Sequence, residues 1–520
     1  MPMKRTSALC FLVVTFVLCL AFVSCSSISG TASSASLVQA VRLDSYTETI
    51  LYNGTATLNS EVKFKSGVDG SESIGLIWSS SDESVLEVSD GVLVAHNSGH
   101  ENVTVKVVAA LSNDPSKSAT CTVTVLSSYP HLLMAGPGQD SSTEAVISWL
   151  SPYESCTLEH CISGSSSWTS VPATGVMTTS DWADIPGMYR YRVELSDLVP
   201  GSAYSYKVSW IDDSGEALSS DVSSFNTADS SGSFSFAWLS DRHINVHDGM
   251  GNIVELLSYF EEQSGPSNLD FCLFSGDMVN KGQVYLYWDY WTESGLLDDM
   301  QWAFLIGNHE YYPKGKKGIT TNSYFLDAVA IPDNSLAAPD SCYWFIHDGV
   351  LFICMDSMAP EATLLPAADT DLAAQVSWFE DVVSMNAGRF RYLVAVQHYA
   401  FLDGGEDGIG NYRVWQPVFD RCGVDLALAS DTHSYTRSLA LYGDAVSDVG
   451  TVYVTSPETE GKGLSEFSNA LDKLGSRAAY FTDENVVGGV WFEVNPECMT
   501  MHVIGKDGVE FDSVSITSRR

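Results

Sequence analysis

Five short polar stretches, each directly behind an apolar run, constrain this chain more than any other feature. They are Ser240-Asp241-Arg242-His243, Gly276-Asp277, Gly307-Asn308-His309-Glu310, Gln397-His398 and Ser430-Asp431-Thr432-His433. The runs ahead of them cover 234–239, 271–274, 303–306, 392–396 and 424–429, and read as strands buried on both faces. Helical patterns fall between the runs. Ile253, Leu256, Leu257 and Phe260 share one helical face, and Leu372, Val376, Phe379 and Val383 nearly share another. Alternating strands and helices predict an α/β domain, and such sheets bind ligands beyond the carboxyl ends of their strands. Asp, Asn and His side chains then converge on one rim. Oxygen and imidazole donors in that number suit divalent metals better than a nucleophile triad.

Length and charge narrow the classes. At 520 residues the chain is long enough for about three domains. Its formal net charge is -39, with Asp+Glu 65 against Lys+Arg 26. That field repels nucleic acid and anionic headgroups and disfavours both as partners. A small phosphorylated substrate stays compatible, because a metal site brings its own positive charge. Acidity of this kind also serves simple solubility.

The N-terminus reads as an export segment, with Lys4 and Arg5 ahead of an apolar run from 8 to 23. Phe22-Val23-Ser24-Cys25 resembles a bacterial lipoprotein cleavage box, which implies a lipid anchor at Cys25 and a place in the cell envelope or on the cell surface. Phe22 departs from the usual Leu of that box. Residues 1–25 are thus a lipoprotein-type signal peptide and 26–39 a flexible linker rich in Ser, Gly and Ala. The chain has Cys 11 in all and no Cys-x-x-Cys zinc pattern. Cys156 and Cys161 sit close enough to close a small loop, whereas Cys272 and Cys354 lie in strand-like runs as buried free thiols.

Two all-β units precede the α/β part. In 40–127, short β-prone runs alternate with turns, as in Val103-Thr104-Val105-Lys106-Val107, and predict a sandwich. Trp78-Ser79-Ser80-Ser81-Asp82 with Gly91-Val92-Leu93 resembles the group-two bacterial immunoglobulin-like domain, which implies a spacer or an adhesive module with a surface partner. Residues 129–228 carry Ala145-Val146-Ile147-Ser148-Trp149 and Tyr189-Arg190-Tyr191-Arg192-Val193, and are similar to a fibronectin type III-like sandwich. The α/β domain is expected over 233–520. It closes on a β pair at 491–494 and 499–503, and its stretch 456–489 reads as a long loop near the site rim.

The order Asp-x-His, Gly-Asp, Gly-Asn-His-Glu, His, x-x-x-His resembles that of the calcineurin-like metallophosphoesterases. The preceding fibronectin-like unit makes the chain similar to the purple acid phosphatases. The resemblance implies a four-layer α/β/β/α sandwich and two divalent or trivalent metal ions, drawn from Mn, Fe, Zn, Mg or Ca. It implies Asp277 as the bridge, with Asp241, His243 and His433 on one metal and Asn308, His398 and Asp431 on the other. A metal-bridging hydroxide at this dinuclear centre attacks the phosphate ester, monoester or diester. His309 positions or protonates the leaving oxygen, and Arg242 is a candidate phosphate clamp or an ion-pair partner.

Two departures from the family pattern stand out. Where the last motif usually reads Gly-His-x-His, this chain has Ser430-Asp431-Thr432-His433, so a carboxylate replaces an imidazole. A harder ligand shifts preference towards Mn, Mg, Ca or Fe and away from Zn, or leaves the second position weak. Purple acid phosphatases also carry a Tyr three residues after the bridging Asp, and here that residue is Asn280, with His243 supplying the missing ligand. The rival reading is a cell-surface binding or adhesion protein whose phosphatase-like domain is catalytically impaired. His309 argues against it, since a binding domain has no need of a leaving-group acid. A single-metal nuclease is disfavoured by the acidic charge.

Overall fold

A computed structural model describes residues 37–68, 74–178, 182, 187–264, 269–314, 321–336, 338–358, 368–402, 406–461, 475–482 and 486–520. The expected signal peptide, Cys25 and most of the linker lie outside the described residues. Among the described residues, no helix is long and apolar enough to cross a membrane.

The first unit is all β. Strand Val103–Leu111 buries Val105, Val107, Ala109 and Leu111, so the period-2 pattern becomes one apolar face. It pairs antiparallel with Asp114–Val125, and both help to build a core of Val, Leu and Ala. The Leu86–Ser89 and Val92–Ala95 hairpin turns on Asp90 and Gly91, at φ 48 and 82. Two positive φ values match the right-handed twist of the paired strands. A Cβ on Gly91 would also lie 2.4 Å from the Leu58 carbonyl oxygen.

The second unit is also a β sandwich, with Trp149 stacked on Tyr191 at 4.5 Å in its core. Cys156 and Cys161 stand on one strand, Ser155–Ile162, and both thiols are free. Five residues apart on a strand they face opposite sides, so the small loop that their spacing allowed does not close. Cys272 and Cys354 are buried and free, as expected.

One sheet of this sandwich runs on into the α/β part. Strand His131–Pro137 lies parallel to Gln301–Phe304, with Ala135 opposite Gln301. The result is a ten-stranded sheet. Its middle holds the parallel strands Phe234–Leu239, Phe271–Phe274 and Gln301–Phe304, and its far edge the antiparallel strands Gly488–Val494, Met499–Gly505 and Glu510–Ile516. A seven-stranded sheet packs face to face against it. That sheet contains Val350–Cys354, Tyr392–Tyr399 and Leu426–Ser430 as parallel neighbours. Phenylalanines fill the space between the sheets: Phe236 meets Phe352 edge-on at 5.4 Å and Phe271 meets Phe345 at 5.6 Å. Each such ring, fully buried, contributes about 1.5–3 kcal/mol. Helix Gly251–Ser264 covers the first sheet with Ile253, Leu256, Leu257 and Phe260, the face read from the sequence. Helices Ala368–Met385 and Glu406–Cys422 cover the second. The C-terminal part is therefore a four-layer α/β/β/α sandwich behind two β units, as expected.

The third strand of the first sheet begins two residues before the expected run. Gln301 is polar, yet it is buried and paired with Phe271. Backbone pairing on both sides holds it there, and hydrophobicity alone does not show that.

Helix Tyr285–Glu293 covers the joint between the β region and the α/β part. Its Asp289 is buried, 2.7 Å from Nδ1 of buried His131. Asn102 of the first unit donates to Asp289 and, at 3.0 Å, to Glu293. Burial pulls the His131 pKa down, but Asp289 outweighs it and holds the imidazole above its ordinary value. Burial pushes Asp289 up, and His131 outweighs it in turn, leaving the carboxyl below its ordinary value. The Asp289 contribution is present above the unfolded carboxyl pKa and is lost as pH falls through the folded one. The His131 contribution is full below the unfolded imidazole pKa and is lost as pH rises through the folded one. His131→Ala strands a buried carboxylate and is expected to cost about 3–5 kcal/mol. The check is the urea midpoint of unfolding near neutral pH, and an unchanged midpoint would show that the pair does not hold this junction.

Candidate metal centre

The strand ends meet as their sequence positions suggest. Behind Phe234–Leu239 the backbone amides of Arg242 and His243 both donate to the Asp277 carbonyl, at 2.9 and 2.8 Å, and Ile244 donates to Met278 at 3.1 Å. Two loops are thus zipped together. A third joins them through Glu310. Its carboxylate is fully buried and accepts from the amides of Gly307 at 2.7 Å, Asp277 at 2.9 Å and Val279 at 3.2 Å. Burial and the nearby Asp277 push its carboxyl up to about 7.

The backbone at these ends is unusual. Asp241, His243, Asp277, Asp431 and His433 have φ of 53, 45, 57, 71 and 56. Left-handed backbone costs an L-residue roughly 1–2 kcal/mol. Such residues persist where their surroundings over-determine them, and they cluster at functional sites.

The side chains converge. Asp241, His243 and His433 form one group, and Asp241, Asp277 and His398 another, with ligand atoms in each within 4.8 Å of one another. His243 Nε2 lies 2.9 Å from Asp277 Oδ2, and His398 Nε2 lies 3.3 Å from Asp277 Oδ1. Asp277 therefore reaches both histidines, one with each carboxylate oxygen. Asp431 Oδ1 is 3.7 Å from His398 Nε2. Burial pushes the Asp431 carboxyl up to about 7. Burial also acts on Asp277, but His398, His309 and His243 hold it well below the usual carboxylate range.

One atom tests whether ions fit here. Asp241 Oδ1 is buried without a hydrogen bond among the described residues, 3.5 Å from His433 Nε2. It fits a divalent cation, as does the mixed oxygen and imidazole set. The Asn308 side-chain amide lies 3.1 Å from both carboxylate oxygens of Asp277 and from His398 Nε2, with the Tyr312 hydroxyl 2.8 Å away on its other side.

His309 belongs to a third such group, with His243 and Asp277. Its Nδ1 is 2.8 Å from the Asn280 carbonyl oxygen, which fixes the proton there and leaves Nε2 facing Asp277 Oδ2 at 3.9 Å. Arg242 is 9% exposed, and its guanidinium donates to the Gly249 carbonyl. Three other histidines lie elsewhere: His347 pairs with Asp270 at 2.9 Å, His502 stacks on Trp491 at 4.4 Å, and His247 is 3.2 Å from Glu293.

Sequence reasoning gave no role to Glu310, Tyr312, Glu458 or Glu460. Glu310 was visible in its motif, but its task is to bind backbone amides. Glu458 and Glu460 fall in the stretch expected as a loop near the rim, and they reach the site. His243 Nδ1 is 3.0 Å from Glu460 Oε2, and His433 Nδ1 is 3.3 Å from Glu458 Oε2. Most of the remaining loop, 462–474, lies outside the described residues.

Comparison with known proteins supports this fold. Residues 234–435 match the model of the calcineurin-like phosphoesterase family, and the expected ligands all fall inside that span. No curated protein sequence matches the chain. Among solved structures, the purple acid phosphatase PPD1 isolated from yellow lupin (Lupinus luteus) seeds is similar with a TM-score of 0.60 at 12% identity. The likeness covers 82% of this chain and 81% of that one. GAP50, the anchor in the inner membrane complex of Plasmodium, is similar over 55% of this chain and 90% of its own, with a TM-score of 0.40 at 13% identity.

Close backbone approach makes one glycine a direct test. A Cβ on Gly307 would lie 2.3 Å from Asp277 Oδ1 and 2.5 Å from the Asp277 amide nitrogen. Gly307→Ala must displace that carboxylate, and metal retained after desalting is expected to fall below one ion per chain. Elemental analysis checks this, and a variant that keeps the parent's metal would show that Asp277 is not needed where it stands.

Proposed function

We propose that this protein hydrolyses esters of small phosphorylated compounds at a dinuclear metal centre. The observation that carries the reading is Asp277, which reaches His243 with one carboxylate oxygen and His398 with the other. Around it the donors divide into two sets. Asp241, His243 and His433 would hold one ion, and Asn308, His398 and Asp431 the other, with Asp277 shared. Bound ions supply positive charge that polarises the phosphoryl group and activates the attacking water.

The chain's own residues do the rest. His309 keeps one proton at Nδ1 against the Asn280 carbonyl, so the proton it can give is at Nε2, on the side of Asp277. From there it donates to the leaving oxygen. Glu310 holds the Asp277 and Gly307 amides in one geometry, so the bridging carboxylate does not swing during turnover. Arg242 stays bound to Gly249, and its part in binding phosphate is to fix the loop that carries Asp241 and His243.

The two ligand sets differ in hardness. Two imidazoles and two carboxylates serve the first, and one imidazole with an amide and two carboxylates serves the second, Asp277 counted in both. Asp431 in place of an imidazole therefore favours Mn, Mg, Ca or Fe over Zn in the second position.

One experiment tests both points. Metal-free protein is reloaded separately with Mn, Fe, Zn, Mg and Ca, and turnover of an aryl phosphate monoester and diester is measured. Activity is expected with Mn or Fe and to be lower with Zn alone. His309→Ala is expected to lower kcat by about 10²–10⁴-fold at unchanged metal content. A folded protein that takes up metal and turns over neither ester would point to the binding role instead.

A further inference from the structure

Each histidine assigned to the first ion has a carboxylate behind it. His243 presents Nε2 to Asp277 and Nδ1 to Glu460, and His433 presents Nε2 to Asp241 and Nδ1 to Glu458. The two glutamates touch the ring nitrogens that point away from the ligand cluster. They are therefore placed to orient imidazoles and not to bind an ion themselves.

The segment that carries them is tied to the strand end that carries Asp241. The Thr459 hydroxyl donates to the Ser240 carbonyl at 2.8 Å, and the Thr459 amide reaches the same oxygen at 3.2 Å. The Asn252 amide donates to the Thr459 carbonyl at 2.8 Å, and Gly488 N–H donates to the Glu458 carbonyl at 3.0 Å. The backbone bends at Thr459 and Glu460. Thr459 faces Ser240, and Glu458 and Glu460 face the histidines. Two acidic groups so close together need a counter-charge besides the imidazoles. Both act on the Arg242 guanidinium, favouring its charged form against the cost of burial.

We infer that Glu458 and Glu460 are positioning residues that hold His433 and His243 as metal ligands and set the affinity of the Asp241–His243–His433 site. A carboxylate on the far nitrogen fixes the tautomer, aims the ring and makes the ligating nitrogen more basic. The inference rests on the dinuclear reading above.

The test uses the full chain and reads metal affinity. Mn and Co(II) are titrated into metal-free protein in competition with a chelator, for the parent and for Glu458→Ala, Glu460→Ala and the double variant. Each single variant is expected to weaken one of the two sites by about 10–100-fold and to leave the other near its parent value. The Co(II) absorption bands should change with it. Glu458→Gln and Glu460→Gln, which keep an acceptor oxygen but lose the charge, should recover part of the loss. Melting temperatures of the metal-free proteins control for folding. A parent that binds two ions, with variants that bind them as tightly and with the same Co(II) spectrum, overturns the inference and leaves the dinuclear reading standing. A parent that binds no metal overturns both.

Discussion

A buried carboxylate that receives three backbone N–H groups sets the geometry of this site. Glu310 gains nothing from water and is solvated by the amides of Gly307, Asp277 and Val279. Those amides belong to two loops that leave neighbouring strands. Bringing them to one acceptor fixes the distance between the Gly-Asp turn and the Gly-Asn-His-Glu turn. Asp277 and Asn308 then face each other across 3.1 Å. Cost and return are both local. Burial makes the charge expensive, and each amide that it binds would otherwise be an unsatisfied buried donor.

Left-handed backbone completes the arrangement. A strand delivers its side chains alternately to two faces, which would send Asp241 and His243 to the same side but at strand spacing. Positive φ at both curls the chain so that Asp241 and His243 approach one point. The same device returns at Asp431 and His433 on the other sheet. The candidate metal centre thus sits where two sheets end, with its donor side chains held by curled backbone and two of its histidines backed by a segment tied to Ser240.

Much of this was legible in the sequence because it depends on local pattern. The apolar runs, the helix face of Ile253, Leu256, Leu257 and Phe260, and the order of the polar stretches all follow from periodicity and spacing. What escaped depends on contacts across the fold. Gln301 joins a strand because Phe271 and Ala135 flank it, and no hydropathy pattern shows that. Glu310 stood in plain view, but a carboxylate that serves backbone amides looks in sequence like any other acidic residue. Glu458 and Glu460 lie far from the motifs, in a stretch without periodicity. Their relation to His243 and His433 exists only once Thr459 has met Ser240. The sandwich formed by 129–228 read as a separate unit because sequence pattern does not reveal which strand edge meets which.

The strand that presents Asp241 has a history written into its pairing. On one side Phe234–Leu239 meets Phe271–Phe274, which is close in the chain. On the other it meets Gly488–Val494, more than two hundred residues later. Until that late segment exists, the strand has an open edge and the sheet cannot close beside it. Contacts of such long range form late in folding, and an open edge is exposed to wrong partners meanwhile. In a chain emerging from the ribosome, Asp241, His243 and Asp277 are made before Glu460 and the closing strand. The strand that carries Asp241 therefore gains its second neighbour, and His243 its contact with Glu460, only after a long stretch of later chain has been made.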